Sequence, residues 1–193
     1  ESTALNTYGH ISNWDVSRVT NFMSLFSEAK EFNQDISNWD VSSGTNFFDM
    51  FISAEAFNQD ISNWDVSSGK DFGSMFSSAT SFNQDLSSWD VSSGNIFACM
   101  FSSATSFNQD ISSWNVSSGN ELYDMFYNAT SFNQDLSSWD VSPSANITGM
   151  FNRANLMLAN QGVTENPDHS YFVGSTPPAT PVITTSTAFT NDN

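Results

Sequence analysis

Tryptophan recurs at Trp14, Trp39, Trp64, Trp89, Trp114 and Trp139, each 25 residues after the last and with no insertion between them. A fixed period of this length marks a repeat architecture: one unit cannot bury its own apolar face, and stacked neighbours bury a continuous core. Counted from its leading Phe, or from Thr7 in the first, the unit occurs at 7–31, 32–56, 57–81, 82–106, 107–131 and 132–156. Columns that never change can then be told from columns that drift within this one chain.

In the second copy Ile36, Trp39 and Val41 stand at i, i+3 and i+5, the L-x-x-L-x-L spacing of a leucine-rich repeat. Alternation around Trp39 predicts a short strand with Asn38, Asp40 and Ser42 on the face opposite Trp39 and Val41. Phe47, Met50, Phe51 and Ala54 follow at i, i+3, i+4 and i+7, which predicts one face of a short helix, with Ser42-Ser43-Gly44-Thr45 as turn and cap. The expected fold is therefore α/β: a leucine-rich-repeat-like solenoid of six strand-turn-short-helix units with a parallel sheet on one face. Residues 1–6 are expected to cap it at the N-terminus and 157–174 at the C-terminus. Residues 175–193, rich in Pro and Thr, read as a linker or extended tail. The chain opens at Glu1 without an apolar leader, which suits a processed protein or a segment of a larger one.

The run Phe32-Asn33-Gln34-Asp35-Ile36-Ser37-Asn38-Trp39-Asp40-Val41-Ser42-Ser43 and its copies resemble the mycoplasma-lipoprotein-type surface-protein repeat, a relative of the BspA-like leucine-rich repeats, along 7–156. The resemblance implies a bacterial or protist surface or secreted protein and brings no catalytic residue with it. Two columns depart from that pattern: Gly44, Gly69, Gly94 and Gly119 stand where an aliphatic residue such as Val19 is usual, and Phe22, Phe47, Phe72 and Phe97 stand where Met is.

With 21 acidic against 4 basic residues the net charge is -17, which excludes a nucleic-acid partner, because phosphate contacts need a Lys/Arg patch. No apolar run reaches the roughly 20 residues of a membrane-spanning helix. Asp15, Asp40, Asp65, Asp90 and Asp140 form one acidic column, broken by Asn115. Asp35, Asp60, Asp85, Asp110 and Asp135 form another, headed by His10. Like charges about 5 Å apart repel by roughly 1 kcal/mol in water, so something must offset them. The second column, flanked by Asn33 and Gln34, is the candidate for Ca²⁺, the one cofactor considered. Hydrogen bonds from Ser37, Ser42 and their copies are the alternative. Asn38, Asp40, Asn63, Asp65, Asp90 and Asp140 are the candidate binding face, fitted to a cationic or cation-bridged partner.

Asn115, Asn128 and Asn146 head N-glycosylation sequons, relevant in a secreted eukaryotic chain. Repetition of every carboxylate pair argues against a catalytic constellation, so no enzyme is expected; His10 and His169 read as surface residues and Cys99 as an incidental thiol. Two functions follow. One is an extracellular or cell-surface adhesion or protein-interaction module, its partner a protein or cell-surface ligand. The other is a structural subunit of an extracellular filament or sheath, joining copies of itself through the solenoid ends and tail.

Overall fold

The computed structural model of the chain describes residues 9–172, so the expected cap at 1–6 and the tail at 175–193 lie outside the described residues. Each 25-residue unit forms one coil, and the coils stack with their columns in register. Equivalent rings lie directly over one another: Phe22 on Phe47 at 5.3 Å, Phe47 on Phe72 at 5.5 Å, Trp64 on Trp89 at 6.4 Å and Trp114 on Trp139 at 6.5 Å. Within a coil a second stack forms, as between Phe51 and Phe57 at 4.0 Å. Phe47, Met50, Phe51, Ala54, Phe57 and Ile61 are fully buried, and so are their copies in the interior coils. At about 1.5–3 kcal/mol for each large apolar side chain, these columns are the main source of stability.

The expected parallel sheet does not form. Successive coils share one isolated parallel bridge each, Asn21↔Asn46, Asn46↔Asp71, Asp71↔Ile96, Ile96↔Glu121 and Glu121↔Asn146. The predicted strand is instead a pair of turns, closed by Trp39 N–H to Ile36 O at 3.1 Å and Gly44 N–H to Val41 O at 2.7 Å. Trp39 and Val41 are buried and Asn38 and Asp40 exposed, as an alternating strand would have them. The side-chain pattern is right while the backbone is not, because five residues of period two cannot separate a strand from two linked turns.

The predicted short helix is corrected in the same way. Asp49 and Ser53 adopt φ of 55° and 57°, in the left-handed region, and their counterparts do so in every coil, from Ser24 and Glu28 to Gly149 and Arg153. A left-handed residue ends a right-handed helix. The segment therefore runs as consecutive turns, Met50 N–H to Phe47 O, Ile52 N–H to Asp49 O and Ala54 N–H to Phe51 O. Those three-residue steps bring Phe47, Met50, Phe51 and Ala54 inward just as a helix would, which is why the spacing misled.

Gly44, Gly69 and Gly94 owe their place to space, since none has a positive φ. A Cβ at Gly44 would lie 2.5 Å from Phe47 Cζ and 2.9 Å from Val41 O, and one at Gly69 or Gly94 would run into the Cζ of Phe72 or Phe97. The two departures from the family pattern are thus one trade: the Phe ring fills the volume that an aliphatic side chain would take.

The last coil is covered by segment 155–172. Helix α1 (Asn155–Asn160) buries Met157, and a closing 3-10 turn, His169–Phe172, buries Phe172. Among the described residues no helix is long and apolar enough to cross a membrane.

Candidate binding surface

The exposed face carries the acidic columns, and local turn chemistry places each carboxylate. Asp40 Oδ1 accepts from Ser42 N–H at 3.1 Å and Ser42 Oγ at 2.6 Å; Asp15 and Asp65 hold Ser17 and Ser67 in the same way, and Asp90 accepts from Ser92 N–H at 3.0 Å. Among the described residues no donor reaches the second oxygen of these four carboxylates. The serine hydroxyl first, and its backbone N–H second, hold the carboxyls of Asp15, Asp40 and Asp90 below the ordinary carboxylate value. Asn115 breaks the charge but not the geometry, since its Oδ1 accepts from Ser117 N–H at 3.1 Å and Ser117 Oγ at 2.7 Å.

The second column is built alike. Asp35, Asp60, Asp85, Asp110 and Asp135 accept from the N–H of Ser37, Ser62, Ser87, Ser112 and Ser137 at 2.8–2.9 Å. At the head of the column His10 Nδ1 takes the same role, accepting from Ser12 N–H at 3.2 Å. A Ca²⁺ site needs about six to eight converging oxygens. Among the described residues no three His, Cys, Asp or Glu side chains are placed to share an ion.

The adjoining Asn and Gln, considered beside Asp35 as cation ligands, join coil to coil. Asn33 Oδ1 accepts from Asn58 N–H and Gln59 Nε2, both at 2.9 Å, and Gln59 Nε2 also reaches Asn33 O at 3.0 Å. The pattern repeats as far as Gln134 on Asn108. At the top Gln161, outside the repeat, reaches Asn133 O and Oδ1 at 3.3 and 3.2 Å in the same manner. An unvarying Asn-Gln dipeptide was the available signal for this ladder, and Trp gave none for its own: Trp64 Nε1 donates to Ile36 O and Trp89 Nε1 to Ile61 O.

Asn38 and Asn63 are exposed at the third position of their turns, beside the first acidic column. The binding-face residues thus share one surface, and the candidate metal residues line the turn before it. Of the sequon residues, Asn115 is exposed, Asn128 is half-buried with Nδ2 on Ser103 Oγ at 3.3 Å, and Asn146 Nδ2 reaches Glu121 Oε2 at 3.4 Å. Cys99 is half-buried in the left-handed column, and burial, then Asp124 and Asp49, push its thiol up in pKa. His169 is not a plain surface residue: its Nε2 is buried and, among the described residues, without a hydrogen-bond partner.

A chain of stacked 25-residue coils, with an aromatic core and an outer face of Asp-Ser turns, is a repeat protein. Its sequence matches the family described as Mycoplasma protein of unknown function, DUF285, over residues 1–98 and again over 70–165, and the chain belongs to that family. No curated protein and no solved structure matches it.

Proposed function

We propose that the chain is a non-catalytic interaction module of an extracellular or cell-surface protein, presenting the Asp15–Asp140 column to a basic partner. One observation carries the reading. Asn115 keeps the turn of this column with a neutral acceptor atom, so the negative charge held at Asp15, Asp40, Asp65 and Asp90 exceeds what the fold requires. A row of carboxylates at fixed spacing, each with an oxygen left over, suits a partner with spaced Lys or Arg side chains, and such complementarity acts mainly on encounter rate and specificity. The filament reading has less support, because the stack's C-terminal end is already covered by residues 155–172. Kinship with BspA-like leucine-rich repeats draws on the Ile-x-x-Trp-x-Val spacing alone.

The test compares two variants of equal net charge on an immobilised basic peptide, D40N/D65N/D90N/D140N and D35N/D60N/D85N/D110N. The first should weaken binding by roughly tenfold and the second much less, with both effects fading as salt shortens the screening length. Equal losses would reduce the face to net charge and sink the proposal.

A further inference from the structure

The outward side chains of a coil are of two kinds. Before Gly44 they repeat: Asn33, Gln34, Asp35 and Ser37 recur in every copy from the second to the sixth, and the ladder and turn bonds account for them. Beyond Gly44 they change. Asn46, Asp71, Ile96 and Glu121 share one column, and Phe48, Gly73, Ala98 and Tyr123 share the next but one. The backbone beneath these columns is tied coil to coil: Phe47, Asp49, Phe51 and Ser53 send their N–H groups to the carbonyls of Asp71, Gly73, Met75 and Ser77 over 2.7–2.9 Å. Side chains that differ between copies thus stand on a fixed support, as recognition demands.

Two of these coils forgo a bond that the others make. Phe48 N–H bonds Asn46 Oδ1 and Gly73 N–H bonds Asp71 Oδ1, both at 2.9 Å, and Thr148 N–H bonds Asn146 Oδ1 at 3.2 Å. Ile96 has no such oxygen, and Glu121 Oε2 accepts from Asn146 Nδ2 at 3.4 Å. Among the described residues the N–H groups of Ala98 and Tyr123 are left without an acceptor, although Ala98 is almost fully covered. An unpaired amide in such a place favours an incoming acceptor. Apolar side chains gather beside it. A Cβ on Gly73 would lie 3.0 Å from Phe48 Cδ2 and 3.3 Å from Ile96 Cγ2, so both side chains lean over the glycine from neighbouring coils. Tyr123 is 37% exposed one coil further on. Across 45–53, 70–78, 95–103 and 120–128 the charged residues are Asp49, Asp71, Glu121 and Asp124 against Lys70. Burial raises the carboxyls of Asp49 and Asp124, which a nearby cation would relieve.

We infer that this strip of the second to fifth coils is a second interaction surface, apart from the Asp15–Asp140 column. Its occupant is an extended segment of a partner protein, with one bulky apolar side chain over Gly73 and Lys or Arg two residues to either side. Carbonyls of the segment meet the N–H groups of Ala98 and Tyr123. Those amides are one coil apart, where the equivalent rings of Phe101 and Phe126 lie at 5.7 Å, close to the ~6.6 Å between alternate carbonyls of an extended chain. The four carboxylates repel a carboxylate acceptor, and they repel a second copy of the strip.

The probe is the peptide Thr-Arg-Thr-Phe-Thr-Arg-Thr, which when extended puts Arg, Phe and Arg on one face. In the full chain the Ala98 and Tyr123 amides should exchange faster than that of Phe48 and slow several-fold when the peptide is added. Ile96→Asn gives Ala98 N–H the oxygen that Asn46 gives Phe48; it should hold the melting temperature and weaken binding by roughly tenfold. Tyr123→Ser, at an exposed position, should also weaken binding. No binding at about 1 mM peptide overturns the proposal, as does binding with neither amide slowed. So does equal binding by a peptide with Ser for Phe or Glu for Arg, or by both variants. A loss from D40N/D65N/D90N/D140N as large as that from Ile96→Asn would move the contact to the other column and overturn it too, as would a dimer of the chain that Tyr123→Ser dissolves.

Discussion

The two ends of the stack solve the same problem differently. At the C-terminal end a segment of unrelated sequence imitates the next coil: Gln161 takes the place of the ladder glutamine, Asn166 and Glu165 supply acceptors for Gly149 and Phe151, and Tyr171 Oη accepts from Leu136 N–H at 3.2 Å. Burial there pushes the Tyr171 phenol up to about 12. At the other end the described residues leave Leu25, Met23 and four carbonyls uncovered. Capping is thus a matter of hydrogen-bond polarity as well as apolar cover, and a repeat unit needs no special sequence to end on a matching partner.

The largest test of this contrast is a pair of truncations. Phe172→Ala removes a ring that is 3% exposed and packed edge-on against Tyr171 at 4.9 Å, and should cost about 3–5 kcal/mol in denaturant unfolding. Leu25→Ala should cost under about 1 kcal/mol. Similar losses would erase the distinction between a closed and an open end.

A middle-sized effect separates the open coil from the interior. Val19 coexists with Phe22 in the first coil, where that ring stacks on Phe47 alone, whereas Phe72 is held between Phe47 and Phe97. Gly69→Val should therefore cost about 1–3 kcal/mol, most of it recovered in the double variant with Phe72→Met. Independent, additive losses would show that the Gly and Phe columns are not one packing trade.

The smallest effect is in pH. Serine bonds depress Asp35, Asp40 and Asp90, so their contribution is complete above the unfolded carboxylate range near pH 4 and is lost as pH falls through their lower folded values. Asp124, packed against Gly149 at the closed end, is raised by burial, so ionisation opposes folding there and acid relieves it. Melting curves between about pH 2.5 and 7 should show Asp40→Asn flattening the acid loss and Asp124→Asn stabilising only above about pH 4. Identical profiles for the two would refute the opposite signs.

Much of the core was legible in the sequence because burial follows spacing: Trp39, Val41, Phe47, Met50, Phe51 and Ala54 are all inside. The backbone was not, because the same spacings are met by turns. The left-handed columns hold Ser24, Asp49, Ser74, Cys99 and Asp124 with a glycine only at Gly149, so the residue that usually announces such a conformation is almost absent. The acidic columns were visible as columns, and their serine partners followed from turn chemistry. The use of Asn33 and Gln59 as a ladder depends on coils lying in register, which no single unit reveals.

The direction of the inter-coil bonds has a mechanical consequence. They link one coil to the next, so a pull on the two ends loads the interfaces in series, and the weakest alone sets the force that the whole stack bears. Each coil that yields pays out 25 residues, about 80 Å of extended chain, against the few ångströms it spanned when stacked. Such a chain lengthens in steps and dissipates work at each one, as a tether between two bodies does when it stretches without breaking.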